Sequence, residues 1–314
     1  DTTALTVNRL CGSGLQAIVS AAQAIQLGDA TVTLGGGAES MSRGGYLMPT
    51  LRWGQRMSDG NVVDMMVGAL TDPFETVHMG ITAENIAAQW KITREQQDEF
   101  AVESHRRAIN AIEKGYFKDQ ILPIELKTRK GVTLFSKDEH PRADASVEGM
   151  AKLRAVFKKE GSVTAGNASG INDGAAAVVL MEKGVAEKAG LKPMARLVSY
   201  GLAGVDPKVM GIGPVPAVQN ALKRAGLAVN DMDVIESNEA FAVQALAVSC
   251  DLKFDAKKTN PNGGAVGLGH PIGATGAVLT VKALYELQRT GGRYALVTMC
   301  IGGGQGIAAV FERM

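Results

Sequence analysis

No apolar run in the chain approaches the roughly 18 to 20 residues that a membrane helix needs. The opening residues, Asp1-Thr2-Thr3-Ala4, carry neither the charged nor the apolar part of a secretory signal. The expectation is a soluble, unexported, cytoplasmic protein. Cysteine is scarce: Cys11, Cys250 and Cys300 form an odd set without C-x-x-C spacing, which excludes a disulfide framework and a zinc-binding cysteine array. Each thiol must be judged by its own neighbours. Neither sign of charge is in excess, with 33 Lys+Arg against 32 Asp+Glu, so no net field points to nucleic acid or a membrane surface. The partner expected is a small molecule. No G-x-x-x-x-G-K-[ST] loop is present, and Arg293, not an acid, stands some 20 residues beyond the Gly267 to Gly273 turn. Nucleotide hydrolysis and dinucleotide binding lose their usual signatures. The absence of H-E-x-x-H, of an EF-hand loop and of paired carboxylates removes the same support from metal and glycoside chemistry.

What the chain does have is glycine, 38 residues of it in 314, and 46% apolar residues, enough for two domains or one duplicated unit with its own cores. The glycines cluster at Gly12 to Gly14 and Gly35 to Gly37, at Gly263 to Gly276, and at Gly302 to Gly306. Such clusters mark tight turns and close backbone approach. Leu15, Ile18, Val19, Ala22 and Ile25 recur at helical spacing, and Thr31 to Leu34 then reads as a short strand. The same order returns later: a Gly-rich turn around His270, a helix with Val278, Val281, Ala283 and Leu284, and a final strand from Tyr294 that ends at Cys300. An internal duplication of an α/β unit is the expectation. The second copy starts near Ala195, about 75 residues before His270, whereas only ten precede Cys11. If the halves are alike, roughly 65 residues of the first lie outside this sequence, and the chain alone is expected to be unstable or to aggregate through exposed sheet edges.

Residues 1–40 therefore read as the remainder of an N-terminal half and 190–314 as the C-terminal half, with the last strands of the first half near 163–183. Between them, 41–166 is more charged and loop-rich and reads as an insertion. Thr93-Arg94-Glu95-Gln96 is a capping box opening a helix through about Lys114. The basic residues Lys127 to Lys130, Arg142 and Lys152 to Lys159 are either solvated surface charge or a landing area for phosphates.

Three side chains at strand-to-helix turns carry the chemistry. Cys11 opens a helix, where backbone N–H groups and the macrodipole are expected to lower a thiol pKa. Taken alone, such a cysteine is more often a small buried apolar residue. The glycines behind it favour access for an acyl group and N–H donors for its oxygen. His270 occupies the duplicated position in the second half. Cys300, before three glycines, can act as an acid or base. Cys250 has no such setting and reads as structural.

Seven stretches then carry a resemblance from one end of the chain to the other. They are Asn8 to Gly14, Gly35 to Ser42, His78 to Asn85, Val163 to Gly174, Asn238 to Gln244, Asn262 to Gly276 and Met299 to Gly306. In combination they resemble the thiolase family. Departures are small: Ala155 where Pro is usual, Ser237 where Ala is common, and a Gly149 without a side chain to hold the coenzyme. The resemblance implies two duplicated α/β halves in an α/β/α/β/α layering with an inserted loop domain. It implies an acyl-CoA C-acyltransferase running a reversible Claisen condensation, with coenzyme A thioesters as substrates and no permanently bound cofactor or metal. Cys11 would carry the acyl group, His270 take its proton, and Cys300 move the α-carbon proton. Asn238, through a water with His270, and the amides of Cys11 and Gly302 would bind the two oxyanions. His78, Met79, Ala165, Ser169 and Phe241 would line the acyl and pantetheine path, and Arg142 would meet the CoA phosphates. His78-Met79-Gly80 resembles the short-chain branch and Leu51 to Arg56 the bacterial 3-ketothiolases, so acetoacetyl-CoA and 3-ketovaleryl-CoA are the expected substrates. A dimer of dimers is implied, helped by Arg43 to Met57. Ketoacyl synthases and hydroxymethylglutaryl-CoA synthases share the fold but normally lack a counterpart of Cys300. The alternative kept open is a truncated or inactive paralogue that only binds acyl-CoA or partners an intact subunit.

Overall fold

The computed structural model describes residues 2–314. Helix α1 (Ser13–Gln26) buries Leu15, Ile18, Val19 and Ala22, the stripe that the spacing predicts. Strand β1 (Val32–Ser40) follows and pairs antiparallel with β2 (Asp173–Met181). The strand does not stop at Leu34, as its composition suggests, but runs through three glycines to Ser40. The cause is close approach. A β-carbon on Gly35 would stand 2.8 Å from Ile18 Cα, and one on Gly37 would stand 2.1 Å from the Gly273 carbonyl. Glycine weakens a strand in isolation, yet it lets this one lie directly on α1 and on the turn behind His270.

Helices α2 (Met79–Trp90) and α3 (Arg94–Glu113) lie in the long segment between β1 and β2. The capping box of α3 is formed: Gln96 N donates to Thr93 Oγ1 and Thr93 N to the Gln96 side chain at 2.8 Å. The segment also holds an exposed hairpin, Ile124–Thr128 with Gly131–Phe135, which carries Lys127 and Lys130. It is clamped to the second half by Ser104 of α3, whose hydroxyl donates to Glu239 at 2.6 Å and accepts from the amides of Gly264 and Gly267.

The second half is a four-stranded sheet with helices on both faces. Its elements are β3 (Ala195–Gly204), α4 (Pro214–Ala225), β4 (Val234–Ser237), α5 (Ala242–Leu252), α6 (Thr275–Thr290), β5 (Tyr294–Ile301) and β6 (Gln305–Arg313). The strand order is β3-β6-β5-β4, antiparallel except for the parallel pair β5/β4. Cys300 does not end the last strand, as the sequence suggests; β6 follows it through a turn in which Gly303 and Gly304 have φ of 82° and 84°. Period-2 alternation sends Ala295, Val297, Met299 and Ile301 toward α6 and α1, and Leu296 toward α4 and α5. Both faces are buried, and each large apolar side chain taken from water contributes about 1.5 to 3 kcal/mol.

The duplication is visible as helix, strand and antiparallel strand in each half: α1, β1, β2 and α6, β5, β6. The three-glycine turn that joins β5 to β6 is replaced in the first half by everything from Met41 to Asn172. Helices α1 and α6 lie side by side between the two sheets, giving layers in the order helix, sheet, helix, sheet. On the outer face of the small sheet Leu34 and Val179 are exposed. No helix among the described residues is long and apolar enough to cross a membrane.

Candidate active site

Cys11 and His270 each precede one of the two central helices, and those helices cross almost without side chains. A β-carbon on Gly14 would lie 2.7 Å from Ala277 N, and one on Gly276 would lie 2.2 Å from Leu15 N. Backbone contact at the crossing brings the two N-terminal turns together, so that His270 Nε2 sits 3.2 Å from Cys11 Sγ across 259 residues of chain. The residue before Cys11, Leu10, is held in the left-handed region with φ of 48°, a conformation costly for a side chain with a β-carbon. Its amide donates to Asn8 Oδ1 at 3.1 Å, which ties the turn down.

Burial first of all pushes the Cys11 thiol up, to about 11; its own amide and that of Gly302 act against this, and the Glu39 carboxylate adds to it. The expectation of a lowered pKa at a helix N-terminus is therefore wrong in sign. Helix α1 does begin here, but desolvation outweighs the N–H groups aimed at the sulfur. Cys11 is a thiol in need of a base. The imidazole beside it is neutral: burial holds His270 down to about 4. Nδ1 of the same ring lies 2.6 Å from Thr275 Oγ1.

Asn238 follows β4, and its Nδ2 lies 3.4 Å from His270 Nε2, close enough for direct contact where the resemblance implies a water. The turn bearing His270 is held from the first half at two points. His270 N donates to Asn172 Oδ1 at 3.1 Å, and Gly273 N donates to Glu39 Oε2 at 3.0 Å. Cys300 is fully buried, in one apolar cluster with Met79, Ala83, Phe241 and Val243. Burial, and after it the neighbouring Cys11, push its thiol far up.

Of the other predicted residues, His78 caps α2 by accepting from Gly80 N at 3.0 Å, and burial lowers its pKa. It stacks on Phe157 with ring centroids 4.6 Å apart, and Phe157 meets Phe241 edge-on at 6.2 Å. Phe157 was not singled out in the sequence; only its place three residues beyond Arg154 in the basic stretch marks it. Ser169 N donates to the Ala240 carbonyl, which holds the 163–170 loop, with Ala165, beside Phe241. Arg142 is exposed, and its amide donates to His105 Nδ1 at 3.2 Å. Cys250 is exposed on α5, so the structural role assigned to it has no packing behind it. Three residues of the site, Thr275, Asn172 and Glu39, lie inside the resembling stretches but were given no role of their own.

Two sequence profiles divide the chain. The one described as the thiolase N-terminal domain matches residues 1–184, and the one described as the thiolase C-terminal domain matches 191–313. The chain is 69% identical over 312 residues to the beta-ketothiolase BktB of Cupriavidus necator, covering 99% of this chain and 79% of that protein. Among solved structures, the acetyl-CoA acetyltransferase of Bacillus anthracis superposes with a TM-score of 0.96 at 51% identity, over 98% of this chain and 78% of that one. A human mitochondrial 3-ketoacyl-CoA thiolase in complex with CoA superposes with a TM-score of 0.95 at 47% identity, over 99% and 78%.

Proposed function

The chain belongs to the thiolase family, and from that premise we propose that it is an acyl-CoA C-acyltransferase whose Cys11 carries the acyl group through a reversible Claisen condensation. The observation that carries this reading is the 3.2 Å contact of Cys11 Sγ with a neutral, buried His270, with the Gly302 amide on the same sulfur.

The protonation states favoured by burial, two thiols and a neutral imidazole, are those from which thiolysis starts. Cys11 Sγ attacks the 3-keto carbon of a 3-ketoacyl-CoA while its proton passes to His270 Nε2. The bond between C2 and C3 breaks, and the carbanion of acetyl-CoA takes its proton from the Cys300 thiol. Acetyl-CoA leaves. A thiol of such high pKa gives a thiolate basic enough to recover an α-proton in the opposite direction. Coenzyme A then attacks the acyl-Cys11 carbonyl and gives its thiol proton to Cys300, while Cys11 leaves as a thiolate and recovers its proton from His270. Every group returns to its starting state. The Cys11 and Gly302 amides serve the oxyanion formed at the acyl-enzyme, and Asn238 with His270 serves the other.

His78, Met79, Ala165, Ser169 and Phe241 line the acyl and pantetheine path, with Phe157 added as the ring that fixes His78. Arg142, exposed and free of any ion pair among the described residues, meets the CoA phosphates. Acetoacetyl-CoA and 3-ketovaleryl-CoA are the substrates. The protein acts as a dimer of dimers in which the exposed apolar side chains of Tyr46, Leu51, Trp53 and Met57 are covered. The reading of an inactive acyl-CoA binder has no support in a site where both thiols and the imidazole are intact.

Incubation with acetyl-CoA followed by peptide mass analysis tests the proposal. Acetyl on the Cys11 peptide, absent from Cys11→Ser, is expected, and Cys300→Ser should keep acylation but lose condensation. An adduct on another residue, or none in a folded protein, overturns it.

A further inference from the structure

The geometry points to Thr275 as a positioning residue that selects the tautomer of His270 and so makes it a base toward Cys11. This rests on the reading of Cys11 as nucleophile and His270 as its proton acceptor.

Thr275 is the first residue of α6, 2% exposed, and its β-branched side chain stands over the turn that carries His270. Its Oγ1 makes two short contacts, one to His270 Nδ1 at 2.6 Å and one to the Pro271 carbonyl at 3.2 Å. The Pro271 carbonyl, which also accepts from the amides of Ala274 and Thr275 at 2.7 and 3.0 Å, can only accept, and a hydroxyl proton directed to it leaves an Oγ1 lone pair facing the ring. Nδ1 must then carry the proton and donate it. Nε2 is left bare, and its two neighbours agree with that: the Cys11 thiol at 3.2 Å and the Asn238 amide nitrogen at 3.4 Å are both donors. With the opposite tautomer the Thr275 hydroxyl would turn from Pro271 to donate to Nδ1, but Nε2–H would face the Asn238 N–H.

The groups around the ring set no competing preference. Cys11, and Cys300 behind it, are thiols with raised pKa. Glu39 spends its Oε2 on Gly273 N, and His140 spends its two nitrogens on Asn172 and the Val266 carbonyl. Among the described residues no carboxylate is bonded to the ring. Thr275 thus fixes which nitrogen is free without the charge by which a carboxylate would stabilise the imidazolium. The proton taken from Cys11 is held weakly, and His270 can return it within the same cycle.

The test uses Thr275→Val, which keeps the shape and removes the acceptor, beside Thr275→Ser and His270→Asn. At pH 7, alkylation of Cys11 by iodoacetamide should slow about 10²-fold in Thr275→Val, and its pH profile should move toward the thiol's own ionisation. The kcat for thiolysis of acetoacetyl-CoA should fall by a like factor with KM little changed. Thr275→Ser should restore both. If Thr275→Val alkylates at the wild-type rate while His270→Asn does not, the inference fails and the assignment of the base stands. If His270→Asn also alkylates normally, the base assignment fails. Should Thr275→Val not fold, ¹⁵N-histidine NMR of the unmodified protein decides: a protonated Nδ1 and bare Nε2 are expected for His270, and the reverse overturns the inference.

Discussion

Gly276 of α6 and Leu15 of α1 touch through backbone: a β-carbon on Gly276 would stand 2.2 Å from Leu15 N and 2.8 Å from Leu15 Cβ. No side-chain rotation relieves a clash with a backbone nitrogen, so Gly276→Ala must part the two helices. Overpacking of this kind costs about 1 to 3 kcal/mol. The separation also acts on the 3.2 Å contact between Cys11 and His270, and a displacement near 1 Å at reacting groups costs about 10²-fold in rate. Gly276→Ala should therefore lose more activity than its fall in melting temperature accounts for. Thiolysis rates measured well below the melting temperature check this, and full activity there would exclude the crossing as the positioning element.

Burial of His270 makes stability depend on acid. Its pKa in the folded protein is about 4, against an ordinary value of about 6.5. Between these the unfolded chain binds a proton that the folded chain does not. The stability that the neutral ring confers is thus fully present above about pH 6.5 and lost as pH falls toward 4, up to about 3 kcal/mol in all. Other groups titrate in this window, Glu236 among them with a raised pKa and the opposite sign. The comparison that isolates His270 is with His270→Asn: the urea midpoint of the variant should drop less between pH 7 and pH 4.5 than that of the unmodified protein.

Periodicity made the helices legible. The apolar stripe of α1 and the capping box at Thr93 are each built from residues three or four positions apart, and local rules govern them. Strand β1 was cut short because glycine weakens a strand locally, whereas its reason for being there is the Gly273 carbonyl more than 230 positions away. The sign of the Cys11 shift failed in the same way. A helix N-terminus can be read from sequence, but the desolvation that outweighs it is made by residues from the far end of the chain. Cys11, His270 and Cys300 were legible through their glycine settings and the family resemblance. Thr275 was within reach, being five residues after His270 at a helix start, yet nothing in that spacing says which way its hydroxyl proton points.

Below the site, Lys282 of α6 donates to Glu236 at 2.8 Å and to the Gly263 carbonyl at 2.6 Å, with both side chains out of water. Burial lifts Glu236 to about 7, and Lys282 acts against that lift. Lys282→Met leaves the carboxylate without a counter-charge, and breaking a buried pair from one side costs about 3 to 5 kcal/mol. The loss should be greatest at pH 8, where Glu236 would have to be charged. It should shrink at pH 5, where the carboxyl can take a proton. Denaturation at both values checks the direction, and Lys282→Met with Glu236→Gln should recover part of the loss at pH 8.

Glu39 does two separable things at the site. Its Oε2 accepts from Gly273 N at 3.0 Å, which fixes the His270 turn, and its charge is the smallest of the influences that raise Cys11. Glu39→Gln keeps a carbonyl acceptor and removes the charge. Glu39→Ala removes both. Without the negative charge the Cys11 pKa moves down from about 11. Alkylation of Cys11 at fixed pH should then quicken modestly in Glu39→Gln, because Glu39 is the last and least of the causes of the raised pKa. In Glu39→Ala the same electrostatic gain is offset by a turn that no longer holds His270 in place, so alkylation should not quicken and kcat should fall. Rates of alkylation and of thiolysis in the two variants separate charge from position, and a slower Cys11 in Glu39→Gln would show that the acceptor, not the charge, is what the thiol feels.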